Sequence, residues 1–170
     1  YNQNLELDLN LKYGYSRKIM HDMNTKVLIL IVDDNEGERF LIRRSLVKLG
    51  IDEKLIKTAK DGEEGLELIT EYDPEVVLLD LNMPKVTGLE LLHLIRRDKK
   101  YPPPYIVMLT TSQREEDLGR AVLEGADGFS IKPNEPSKMK EILSAIKIFF
   151  IDKKNISDEL KSFFQFLKTY

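Results

Sequence analysis

Two kinds of apolar pattern share this chain. Short unbroken runs, such as Val27–Val32 and Val76–Leu79, alternate with longer segments in which apolar residues recur every three or four positions. Unbroken runs rich in β-branched residues read as strands covered on both faces, and the three-to-four period reads as helices with one buried side. The predicted strands are Val27–Val32, Leu55–Ala59, Val76–Leu79, Tyr105–Leu109 and Gly128–Ile131. Lys57 interrupts the second strand, which suits a sheet edge. A first helix follows Asp34, which with Asn35 offers an N-cap, and buries Ile42, Leu46 and Leu49 before Gly50. Further helices are predicted over Glu63–Thr70, Gly88–Arg97 (capped by Thr87), Gln113–Glu124 and Pro136–Ile151. A last one over Ser157–Leu167 carries an apolar stripe of Leu160, Phe163, Phe164 and Leu167. Strands alternating with helices imply a doubly wound, five-stranded parallel α/β sheet in the order 2-1-3-4-5, with right-handed crossovers and an extra C-terminal helix.

Such sheets bind ligands at the carboxyl ends of their strands, where the order reverses. Two buried-type runs end there in acid: Val27–Val32 in Asp33-Asp34, and Val76–Leu79 in Asp80. Carboxylates resist sharing a site unless a cation sits between them. An all-oxygen donor set suits a hard ion, Mg²⁺ first, with Mn²⁺ or Ca²⁺ less well matched. The neighbouring strands bring Thr110 and Lys132 to the same rim. A central carboxylate, a divalent ion, a hydroxyl and an ammonium together suit phosphoryl transfer to Asp80.

Composition narrows this further. The 170 residues fit one domain, and the net charge of −3 argues against a strongly basic nucleic-acid surface. Without cysteine there are no disulfides, thiol nucleophiles or zinc–thiolate sites, which fits a cytoplasmic protein. No apolar run is long enough for a membrane span. The basic pairs Arg39/Arg43 and Arg44/Lys48 line one helix face, a solvated surface or a docking face for an acidic partner. Residues 1–25 read as an N-terminal extension or an appended remnant. His93 reads as a packing or surface histidine.

Asp33-Asp34, the run Asp80-Leu81-Asn82-Met83-Pro84, Thr110 and Lys132-Pro133 resemble the receiver domain of two-component response regulators, a flavodoxin-like fold. Thirty residues separate Asp80 from Thr110 and twenty-two separate Thr110 from Lys132, as that family requires. Leu109-Thr110-Thr111-Ser112 and Phe149-Phe150 are similar to the stand-alone receivers that partner phytochrome-type kinases. The resemblance implies a receiver over residues 26–151 and a C-terminal extension over 152–170. It implies Asp80 as phosphoacceptor, and Mg²⁺ held by Asp33, Asp34, Asp80 and the Asn82 carbonyl. Thr110, Thr111 and Lys132 would bind the phosphoryl group. Thr110 and Phe129 would form the switch, with Phe129 in place of a hydroxyl-bearing aromatic and moving into space that Thr110 leaves. It also implies a cis Lys132–Pro133 bond.

The implied partners are a sensor histidine kinase or a histidine phosphotransfer protein, with no nucleic acid and no membrane. The short segment after the receiver leaves no room for a DNA-binding output domain, so signalling is expected through partner binding or a homodimer. Leu160, Phe163, Phe164 and Leu167 are the candidate interface. A haloacid-dehalogenase-type phosphatase, the enzymatic alternative, wants an aspartate where Asn82 stands, so a signalling receiver rather than an enzyme is expected. A receiver fold kept as an unphosphorylated binding module is the other alternative.

Overall fold

The computed structural model describes residues 27–98, 103–152 and 165–166. The strands are β1 (Ile29–Val32), β2 (Ile56–Ala59), β3 (Val76–Leu79), β4 (Tyr105–Thr110) and β5 (Gly128–Ile131). They alternate with α1 (Glu36–Lys48), α2 (Gly62–Tyr72), α3 (Gly88–Arg97), α4 (Glu115–Leu123) and α5 (Pro136–Ile146). The parallel order is β2-β1-β3-β4-β5, as the alternation predicts.

β1, β3 and β4 are apolar with almost no alternation because both sheet faces are covered. Leu30, Val32, Val77, Leu79, Ile106 and Met108 pack on one side, in a cluster with Leu91, Leu92 and Ile95 of α3. Ile29, Ile31, Val76, Leu78, Val107 and Leu109 pack on the other, against Ile42 and Leu46 of α1 and Ile142, Leu143 and Ile146 of α5. A strand's side chains point alternately to opposite faces, so each unbroken run fills two cores.

Local signals set the boundaries. Asn35 caps α1, Asp61 caps α2, and Thr87 with Glu90 closes a capping box on α3. Gly50 and Gly125 follow α1 and α4 with φ of 87° and 83°, the left-handed conformation that glycine adopts without strain.

Three expectations change. The fifth helix does not run regularly to Ile151. It ends at Ile146 and passes into a π-helical turn over Lys147–Ile151. There Phe150 is buried against Tyr105, ring centroids 5.0 Å apart, with Phe149 edge-on at 4.9 Å. The helix predicted over Ser157–Leu167 lies outside the described residues except at Gln165–Phe166, which are extended. They form β6, antiparallel to β5, pairing Gly128 with Phe166 and Phe129 with Gln165. Backbone groups along β5's outer edge need partners, and a short strand supplies them. Finally, none of the described peptide bonds is cis, so Lys132–Pro133 is trans, the intrinsically favoured form. The Lys132 N–H still continues the ladder to Thr110 O at 2.7 Å.

Residues 1–25 and the interface candidates Leu160, Phe163, Phe164 and Leu167 lie outside the described residues. Among the described residues no helix is long and apolar enough to cross a membrane.

Candidate phosphoacceptor site

Strand register builds the pocket. Val32 pairs with Leu79, so Asp33 and Asp80 emerge at the same level of adjacent strands. Backbone bonds carry the ladder past the strand ends, from Asp80 N to Val32 O at 2.9 Å and from Asp33 N to Ala59 O at 3.1 Å. Thr110 pairs with Ile131, which sets Lys132 one position beyond the strand end.

Lys132 turns inward with a side chain only 7% exposed. Its Nζ lies 2.6 Å from Asp33 Oδ2 and 3.2 Å from Asp80 Oδ1, and it also contacts Glu38 Oε2. The second oxygen of each aspartate is held by backbone. Asn35 N donates to Asp33 Oδ1 at 2.8 Å, and Asn82 N donates to Asp80 Oδ2 at 3.0 Å. Arg39 Nη1 donates to Asp33 O at 2.7 Å and Arg43 pairs with Glu53 at 3.3 Å, so half of the basic helix face already has partners.

Three carboxylates face one ammonium, which leaves two negative charges unbalanced among Asp33, Glu38, Asp80 and Lys132. Asp80 Oδ1 is buried and lacks a well-directed hydrogen bond. Burial lifts the Asp80 carboxyl above its ordinary value, and the nearby Lys132 charge offsets this only in part. Burial raises Asp33 in the same way, again against Lys132. For Lys132 burial works against the charge, but the carboxylates around it prevail and hold it well above the usual lysine value. A buried acceptor oxygen without a partner, beside two uncompensated charges, fits a divalent cation. Asp33 and Asp80 would hold it, with the exposed Asp34 beside them. Among the described residues no three acidic or histidine side chains are already gathered as a metal cage.

The other expected residues are placed less tightly. Thr110 is fully buried at the end of β4, and its Oγ1 accepts from Ser112 N at 3.2 Å. Thr111 and the Asn82 side chain are exposed. Phe129 is already buried within the core, so it needs no space vacated by Thr110 to enter. It lines a cavity of about 350 Å³ with Ser112, Leu118, Ile131, Pro133 and Ile142. His93 is half-buried, its Nδ1 2.6 Å from Glu124 Oε2.

A family model described as the response regulator receiver domain matches residues 29–144. The chain belongs to that family. A chemotaxis protein CheY homolog of Campylobacter jejuni is 35% identical over 119 residues, covering 69% of this chain and 90% of the homolog. The nitrate/nitrite response regulator NarL of Escherichia coli K12 is 37% identical over 115 residues, covering 68% of this chain. The chain spans about half of NarL, 52% of its length. Among solved structures, the phosphorylated cyanobacterial phytochrome response regulator RcpA superposes with a TM-score of 0.67 at 28% identity. That match covers 76% of this chain and 96% of RcpA. Receivers bind a divalent metal, and the donor set around Asp80 suits one.

Two contributors to this receiver's site escaped the sequence reading. Glu38 carries no signal of its own in the sequence, since its partner Lys132 lies far along the chain. Gly88 read only as the first residue of α3, yet a Cβ there would lie 2.9 Å from both Asp80 C and Leu81 Cα. Real Cβ atoms do not approach backbone that closely, so the segment under the phosphoacceptor would have to move. Gly88→Ala is therefore expected to cost about 1–3 kcal/mol and to lower beryllofluoride binding at least about tenfold. Thermal melting and titration of the same sample measure both. Gly119, with nothing near its missing Cβ, is the control, and Gly119→Ala in mid-α4 should gain about 0.5–1 kcal/mol.

Proposed function

We propose that this receiver accepts a phosphoryl group on Asp80 from a phosphohistidine of a kinase or phosphotransfer protein. The observation that carries this is Asp80 Oδ1, a buried carboxylate oxygen without a directed hydrogen bond, 3.2 Å from the inward-turned Lys132 ammonium. A carboxylate oxygen of Asp80 attacks phosphorus, a P–O bond forms, and the donor imidazole leaves with the electrons of the P–N bond. The Lys132 ammonium donates to phosphoryl oxygens and offsets their charge. The Thr110 hydroxyl, which accepts from Ser112 N, has its own proton to donate to another. A divalent cation, Mg²⁺ or Mn²⁺, held by Asp33, Asp34, Asp80 and the Asn82 carbonyl, would supply the remaining positive charge.

Phosphorylation adds roughly −1.5 to −2 of charge and three acceptor oxygens. Drawing Thr110 and Lys132 toward them changes the end of β4 and the start of the segment after β5. Phe129 borders the cavity beside these strands, so its ring has room to repack and to pass the change to α4 and α5. The output is a shift between two packings that a binding partner or a second copy of the chain would read.

Acetyl phosphate with Mg²⁺ tests the acceptor. Intact mass should show one added phosphoryl group, lost on chelation of the metal. An unlabelled wild-type chain would refute the proposal. Sedimentation with and without beryllofluoride then tells dimerisation from partner binding as the output.

A further inference from the structure

Helices α1, α2 and α3 each carry a glutamate at the third helical position: Glu38, Glu64 and Glu90. A glutamate there ordinarily turns back to satisfy a backbone N–H at the start of its own helix. Glu90 does so, accepting from Thr87 N at 2.8 Å, and Glu64 accepts from Lys60 N at 2.8 Å. Glu38 does not. The N–H of its cap residue, Asn35, is already taken by Asp33 Oδ1 at 2.8 Å. Only the other half of the box remains, from Glu38 N to Asn35 Oδ1 at 3.2 Å. The freed carboxylate leaves the helix and contacts Lys132 Nζ.

Lys132 is thus shared by three carboxylates that differ in freedom. Asp33 is fixed, 3% exposed and bonded to backbone through its other oxygen. Asp80 is the acceptor itself. The Glu38 side chain is 33% exposed, so it alone of the three can swing into water. Its contacting oxygen and Asp80 Oδ1 both lack hydrogen-bond geometry, so the ammonium lies between two carboxylates and fully satisfies neither.

We propose that Glu38 is a positioning residue that competes with Asp80 for Lys132. It holds the ammonium toward α1 in the unmodified protein, and a phosphoryl group on Asp80 must draw Lys132 away from it. This rests on the reading of Asp80 as phosphoacceptor. Glu38 then sets how much of the phosphoryl group's attraction goes into recruiting Lys132, and its release is the first event on the α1 side.

The test is the affinity for beryllofluoride with Mg²⁺ in the full chain, taken through a cycle of Glu38→Gln and Lys132→Ala. Glutamine keeps the shape and the backbone half of the cap while removing the charge. Glu38→Gln should bind about tenfold more tightly than wild type, and the gain should vanish once Lys132 is alanine. A merely structural glutamate would not show that dependence. A second readout covers a Lys132→Ala chain that does not fold. The Lys132 ε-methylene resonance of unliganded Glu38→Gln should already lie toward its beryllofluoride-loaded position. The proposal is overturned by affinity within about twofold of wild type, by a gain that survives Lys132→Ala, or by an unmoved resonance. A wild-type chain that binds no beryllofluoride fails differently, taking down the Asp80 reading and this proposal with it.

Discussion

Asp80→Asn is expected to remove all labelling by acetyl phosphate and yet make the protein harder to unfold. The loss of labelling follows from chemistry, since an amide does not supply the carboxylate nucleophile. The gain in stability follows from burial. The Asp80 carboxylate is 6% exposed, one of its oxygens lacks a directed hydrogen bond, and burial raises its pKa. Removing that charge strands nothing, because Lys132 keeps Asp33 at 2.6 Å and the Glu38 carboxylate. Relief of a buried, poorly compensated charge is worth about 1–2 kcal/mol, or several degrees in melting temperature for a domain of this size.

The pH dependence has a definite sign. A carboxyl whose pKa is raised on folding favours the folded state while protonated, and that advantage is lost as pH rises through the folded value. The mutant's advantage should therefore be full at neutral pH. It should shrink on acidification through the raised Asp80 value and close near the ordinary aspartate value of about 4. Asp61 behaves in the opposite way. The Glu64 N–H and the Lys85 ammonium lower its pKa, so its contribution is present above the ordinary value and lost as pH falls through the folded one. Asp61 is common to both proteins, so the difference between their melting curves cancels it. A mutant that melts below wild type at neutral pH would contradict the account.

Arg96→Met is expected to be the most damaging single change for stability. The guanidinium joins α3 to the starts of β4 and β5. Nη2 lies 2.5 Å from Asp127 Oδ2, Nε donates to Gly125 O at 2.8 Å, and Nη1 donates to Pro104 O at 3.0 Å. Asp127, 4% exposed, also accepts from Ile106 N at 2.7 Å. Methionine fills similar volume but leaves the Asp127 carboxylate buried without its guanidinium, a loss of about 3–5 kcal/mol. Against a total of roughly 5–15 kcal/mol, that is a large fraction. Urea unfolding measures it directly. Asp127→Asn keeps an acceptor for Ile106 N and removes the charge that faced the guanidinium, so the double variant should recover part of the loss. The clamp lies at the opposite ends of the strands from Asp80, so folded Arg96→Met should still take up phosphate. Equal stability of Arg96→Met and wild type would remove the clamp from the account.

These two changes mark what the sequence discloses. Asp80 and Asp33 are legible because each ends a run of strand residues with no polar interruption. Parallel pairing then places them side by side without further information. Lys132 and Thr110 are legible because each follows a neighbouring predicted strand, and the family resemblance then matches their spacing from Asp80. Glu38 is not, because three helices of this chain begin with the same cap-plus-glutamate pattern and only the tertiary contact to Lys132 separates one from the others. Gly88 is hidden for a related reason: its role lies in what cannot fit against the Asp80 backbone, and periodicity records only what is present. The Arg96–Asp127 pair joins residues 31 apart that each look like ordinary surface charges. The end of α5 misled because the apolar period runs on through Phe149 and Phe150, while packing both rings widens the last turn. Gln165 and Phe166 are extended because the edge of β5 offers them backbone partners, which no periodicity records.

The buried acceptor oxygen also bears on descent. A lineage that no longer needed the signal would meet little resistance in discarding Asp80, since the replacement is expected to melt later and Lys132 keeps Asp33 and Glu38 as partners. Silent copies of this domain should therefore be sturdier than their signalling ancestors. Their ruined pockets would record selection for durability once the message had ceased to matter.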